Sequence, residues 1–114
     1  KFADKLLAKY KIDVTFTRHF VDRMNDTRNS PDIKIAELQK LFKKIQKNKG
    51  KNILSNPDIE AVLKDMTADL NLPVVINYNN GEFELVTKTI MRKKNFSTSS
   101  KELRYEEWKR TLFP

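Results

Sequence analysis

The sequence predicts an α+β domain in which N-terminal helices pack on a small antiparallel sheet. Three observations carry that expectation. Helix-period apolar patterns fill the first half of the chain, Asn80-Gly81 sits between two β-branched runs in the second, and the composition suits one modest core. The chain has 114 residues, 39% of them hydrophobic and 33% charged. That length fits a single domain, taken as residues 1–100 with an amphipathic tail over 101–114. Phe, Leu, Ile and Val recur throughout, which argues against wholesale disorder.

The elements follow in order. "FADKLLAKY" sets Phe2, Leu6, Leu7 and Tyr10 at helical spacing. "DVTFT" is β-branched and aromatic, with Val14 and Phe16 on one face and Thr15 and Thr17 on the other, so it predicts a strand. Thr17 then suits the N-cap of a helix from Arg18 to about Thr27. A second, clearer helix has Ser30 as cap, Pro31 at its first position and Asp32 at its positive end. Its buried stripe is Ile35, Leu38, Phe42 and Ile45, and Gly50 stops it. Lys40, Lys43, Lys44 and Lys47 form a basic ridge beside that stripe. "NPDIEAVLKDMTADLNLP" fits a helix through Ile59, Val62, Leu63, Met66 and Leu70, although "EAVLKD" also fits a strand.

"VVINYNNGEFELVTKTIMRKK" is the strongest β signal, because Asn-Gly is the preferred pair for a tight hairpin turn. On its returning strand Phe83, Leu85, Thr87, Thr89 and Met91 would share one face, and Glu84, Val86, Lys88, Ile90 and Arg92 the other. "STSS" at 97–100 is a loop. Beyond it, Tyr105, Trp108 and Leu112 fall along one helical side, suited to the core or to a partner protein.

The chain carries 23 Lys+Arg against 15 Asp+Glu, a formal charge of +8. A field of that sign favours polyanions, nucleic acid being the commonest. A lysine-rich surface that only keeps a small protein in solution has the same sign. Without cysteine, disulfides and thiolate metal sites are excluded, and one histidine excludes a His-rich metal site. A carboxylate-only Mg²⁺ or Ca²⁺ site stays open in principle, but no Asp/Glu cluster stands at ligand spacing, so neither metal nor cofactor is expected. No apolar run approaches the roughly 18 residues a membrane span needs, so no membrane partner is expected. A first residue that is Lys fits a fragment or a processed product, so the lack of a signal peptide says little about compartment.

His19 is the only histidine, and Arg23 lies one helical turn further on. Positions i and i+4 share a helix face, so the two would stand side by side while Phe20 and Met24 turn into the core. Imidazole is the side chain that ordinarily titrates near neutral pH. RNA cleavage needs a base for the ribose 2′-OH, an acid for the leaving 5′-oxygen and cations for the phosphorane charge. The 2′-OH is the nucleophile, so no metal is required. The bland alternative is a bystander histidine on a surface helix.

The run "TFTRHFVDRMNDTRN…IAELQKLFKKI" resembles the phage RegB-type endoribonucleases, and more widely the small RelE-like and barnase/colicin-like RNase toxins. Those proteins begin with a Ser/Thr-x-His-x-x-x-Arg helix, continue with a second amphipathic helix and finish with an antiparallel sheet. Thr17, His19, Asp22 and Arg23 match the first motif, and "ELQKLFKKI" matches the second helix. The resemblance implies that His19 and Arg23 take part in cleavage. The chain departs from it where RegB-like enzymes carry a second His, because Lys43 stands there. A lysine at its ordinary pKa stabilises phosphate but is a poor base at neutral pH. Glu82 and Glu84 are the other candidates for that base.

"VTKTIMRKKNF" interleaves cations with an aromatic, which suits contact with single-stranded RNA. RelE-like toxins also carry phosphate-binding cations on their last strands. An edge strand guarded by lysines against aggregation would look the same. The leading expectation is therefore a metal-independent endoribonuclease. His19, Arg23, Lys88 and Arg92 would form its catalytic group, and Lys43, Lys44, Lys93, Lys94 and Phe96 would hold the RNA. It would work in the cytoplasm, the host's if phage-encoded, with a virion as the alternative. The competing expectations are a catalytically silent phage structural or interaction protein that docks through the tail around Trp108, and a plain basic nucleic-acid-binding domain.

Overall fold

The computed structural model describes residues 2–24 and 33–105. Its elements are α1 (Phe2–Leu7), β1 (Ile12–Phe16), α2 (Arg18–Met24), α3 (Ile35–Lys47), α4 (Lys51–Leu54), β2 (Ile59–Asp65), β3 (Leu70–Asn79), β4 (Glu82–Thr87), β5 (Met91–Arg92) and β6 (Lys101–Tyr105). The α+β class is as expected. The sheet, however, is mixed rather than purely antiparallel: its order is β1-β4-β3-β2-β6, with β5 also paired to β3. β1 runs parallel to β4 and β6 parallel to β2, while β3 is antiparallel to β2, β4 and β5. Hence β1, β4, β2 and β6 all end at one edge of the sheet, called here the carboxyl end.

The N-terminal half follows local rules. β1 alternates as expected, with Ile12 and Val14 buried and Asp13 and Thr15 exposed. Thr17 caps α2 by accepting the Phe20 N–H at 3.1 Å. Phe20 is 2% exposed, and Met24 packs half-buried against the core. In α3, Leu38, Leu41, Phe42 and Ile45 are buried, each contributing roughly 1.5–3 kcal/mol of transfer free energy. That helix begins at Ile35 rather than Pro31, and Ser30, Pro31 and Asp32 lie outside the described residues. Ile35, expected in the stripe, is 56% exposed because it occupies the first helical position, overhanging the packed turns. Phe2, Phe16, Phe20 and Phe42 form a ring cluster with neighbouring centroids 4.9 to 6.2 Å apart, joining α1, β1, α2 and α3.

Gly50 follows α3 at φ +65°, and a Cβ there would come within 2.7 Å of Ile12 Cδ1. Only glycine combines that left-handed backbone with so close an approach. The Asn80-Gly81 turn joins β3 to β4 with both residues at positive φ, as expected of a tight hairpin.

Two stretches differ from expectation. Residues 59–65 form β2, not a helix, and 66–69 turn into β3. β2 lies between β3 and β6, so Ala61 to Asp65 are buried on both faces and lose alternation. Residues 101–105 form strand β6 rather than an amphipathic helix, sending Leu103 and Tyr105 into the core. Trp108 and Leu112 lie outside the described residues.

The helices cover one sheet face. On the other, the register aligns Asn71, Lys64 and Arg104 in a row across β3, β2 and β6. The segment between β5 and β6 straps that row: Lys64 Nζ donates to the Phe96 carbonyl at 2.5 Å, and Asn71 Nδ2 to the Lys93 carbonyl at 3.0 Å. Among the described residues no helix is long and apolar enough to cross a membrane.

Candidate nucleic-acid interface at the carboxyl end

Thr17 connects the first predicted group. Its backbone N–H donates to the Thr87 carbonyl at 3.2 Å and its hydroxyl to the Lys88 carbonyl at 3.0 Å. One hydroxyl thus caps α2 and ties its start to the end of β4. His19, on the first turn of α2, and Lys88, just past β4, are both exposed. Arg23 is half-buried one turn after His19 on the same helix.

Arg92 does not share a strand face with Lys88, contrary to expectation. β4 ends at Thr87, Ile90 is buried at 1% exposure, and Arg92 belongs to the separate strand β5. Its guanidinium reaches toward the helix layer, donating to Glu37 Oε1 at 2.6 Å and to the Ala68 carbonyl at 2.9 Å. The Arg92 hydrogen bond is the largest influence holding the Glu37 carboxyl below its ordinary range. Arg92 therefore ties α3 to the β2–β3 turn. Glu82 and Glu84 lie at the opposite end of β4, in the hairpin hollow with Asp13. Glu84 accepts hydrogen bonds from Thr15 Oγ1 at 3.1 Å and Asn77 Nδ2 at 3.4 Å.

The α3 lysines border a groove of about 370 Å³ against the β2–β3 turn. Lys44 is committed there, donating to Asp65 Oδ1 at 2.7 Å and Thr67 Oγ1 at 3.2 Å. Lys40, Lys43 and Lys47 are the more exposed cations of that wall.

Across the turn, on the strapped sheet face, a second hollow of about 510 Å³ holds Lys93, Lys94 and Phe96. Sequence reasoning missed two cations on its floor, Lys64 and Arg104. The Lys64 ammonium sits 5.7 Å from the Phe96 ring centroid and 3.7 Å from Glu102 Oε1. Arg104 Nη2 donates to the same carboxylate at 2.8 Å and is the main influence lowering its pKa. These cations become visible only once β2 and β6 are known to pair in parallel. Asp65 borders both hollows, so the turn from Met66 to Ala68 forms the ridge between them.

The carboxyl end carries Arg18, His19, Lys64, Lys88, Lys93, Lys94 and Arg104, interspersed with the carboxylates Asp65, Asp69 and Glu102. At the other end the hairpin hollow is lined by Asp13, Glu82 and Glu84 with Asn77, Asn79 and Asn80, and its described lining includes no Lys or Arg. No group of three or more His, Asp or Glu that could hold a metal ion occurs among the described residues. Lysines on a surface of this kind can pair with a phosphodiester backbone, and His19 is the one imidazole of the chain. Comparison with known protein families, curated proteins and solved structures gives no match.

Proposed function

We propose that the chain is an RNA-binding module with metal-independent endoribonuclease chemistry at the start of α2. The observation that carries this reading is the Thr17 hydroxyl, which joins the helix bearing His19 to the strand end bearing Lys88. In the proposed reaction His19 accepts the proton of a ribose 2′-OH as the O2′–P bond forms. Lys88 offsets the charge gathering on the phosphorane oxygens. The P–O5′ bond breaks, the leaving oxygen takes a proton from water, and the imidazolium returns its proton to the hydroxide left behind. The products end in a 2′,3′-cyclic phosphate and a 5′-hydroxyl.

A second reading, RNA binding without cleavage, is favoured by two observations. Lys43 stands where the resembled enzymes carry a second His, and Arg92 is committed to Glu37. Incubation with 5′-labelled RNA in EDTA separates the readings. Cleavage predicts fragments with cyclic ends that disappear in His19→Ala. Binding without fragments leaves the second reading standing, and protein that neither binds nor cuts RNA contradicts both.

A further inference from the structure

We propose that the strapped hollow on the open sheet face is a separate subsite for single-stranded RNA, in which Phe96 stacks one unpaired base while Lys93 and Lys94 hold the adjoining phosphates. The inference rests on the RNA-binding reading and is independent of whether the chain cleaves.

The hollow is built rather than incidental. Lys93 is pinned at both of its backbone groups: its N–H donates to the Asp69 carbonyl at 3.0 Å, and its own carbonyl accepts from Asn71 Nδ2. The Phe96 carbonyl holds the Lys64 ammonium, which also approaches the ring. The cations are thus mounted on a backbone fixed to the sheet, so less ordering entropy is lost on binding. Lys93 and Lys94 are exposed and Phe96 is half-exposed beside them; Asp65, Asp69 and Glu102 share the lining, Glu102 being paired with Arg104 and Lys64.

The volume, about 510 Å³, lies within the range of small-ligand sites and suits one nucleotide rather than a duplex. A half-exposed aromatic beside lysines suits single strands, because every base offers a π-face while phosphates follow the cations. Asn95, at φ +58°, and Ser97 border the same hollow and supply amide and hydroxyl groups to a base edge. His19 and Lys88 stand at the junction of β1 and β4, whereas this hollow spans β3, β2 and β6. It therefore holds RNA away from the point of chemistry.

The test is fluorescence anisotropy in EDTA with a labelled, unstructured RNA of about 12 nucleotides and a duplex of equal length. Phe96→Leu keeps an apolar cap over Lys64 but removes the π-face. It is expected to weaken single-strand binding at least about fivefold, the low end for one base stack, and to leave duplex binding unchanged. Lys93→Gln with Lys94→Gln is expected to flatten the slope of log K against log salt by about 1.4, or two phosphates at roughly 0.7 each. Lys9→Gln, just before β1 at the opposite end, is the control. The subsite is overturned if Phe96→Leu binds the single strand like wild type, or weakens both RNAs equally. Wild-type protein that binds no RNA overturns the underlying reading and this one together.

Discussion

Glu37 and Arg92, 55 residues apart in sequence, meet at 2.6 Å where the first turn of α3 faces β5. The same carboxylate oxygen accepts the Lys34 backbone N–H at 3.0 Å, satisfying a free donor at the helix start. The pair therefore joins helix layer, sheet edge and β2–β3 turn. Arg92→Ala is expected to cost about 1–3 kcal/mol in urea denaturation, because it leaves a partly buried carboxylate without its partner. Arg92 holds the folded-state pKa of Glu37 below its unfolded value, so the stabilisation is present at higher pH and lost as pH falls through the folded pKa. The stability gap between wild type and Arg92→Ala should thus narrow as pH drops below about 4.5.

Thr17→Ala removes the cap on α2 and the bond to Lys88 together. A lost cap costs about 1 kcal/mol, within a range of roughly 0.5–2. Thr17→Ser keeps the hydroxyl and should recover most of it. If the junction organises cleavage, Thr17→Ala lowers kcat more than RNA affinity, whereas a purely structural role would leave kcat intact in the folded fraction.

Tyr105 is 4% exposed, and burial pushes its phenol up to about 12, partly offset by the Asn52 side chain. The unfolded phenol ionises near the ordinary 10.0. Between those values the unfolded chain releases a proton that the folded chain keeps, so stability falls as pH rises. Its hydroxyl makes no well-formed hydrogen bond among the described residues. Tyr105→Phe should therefore change stability by less than about 1 kcal/mol at neutral pH, yet exceed wild type at about pH 11. Urea midpoints at the two pH values decide it.

The elements legible in the sequence are those set by local chemistry: the Thr17 cap, the Leu38–Phe42–Ile45 stripe and the Asn80-Gly81 hairpin. Ile59, Val62, Leu63 and Leu70 misled because a strand buried on both faces gives up the two-residue alternation that distinguishes it from a helix. β6 was hidden for a related reason, since a parallel pairing between residues 61–65 and 101–105 leaves no turn signature between them. The candidate interface was legible only as charge and spacing. Charge and spacing marked His19, Lys88, Lys93, Lys94 and Phe96, all of which reach the carboxyl end. They could not show that Arg92 would turn to Glu37, or that Lys64 and Arg104 would join Phe96 across three strands.

Under the proposed function, the carboxyl end of the sheet is the face that meets RNA. An amide chemical-shift map of labelled protein titrated with single-stranded RNA in EDTA addresses this directly. The expected shifts fall on residues 17–20, 40–47, 64–71 and 88–97, while Asp13 and residues 77–84 of the acidic hairpin stay still. Shifts centred on that hairpin, or none at any RNA concentration reached, would contradict it.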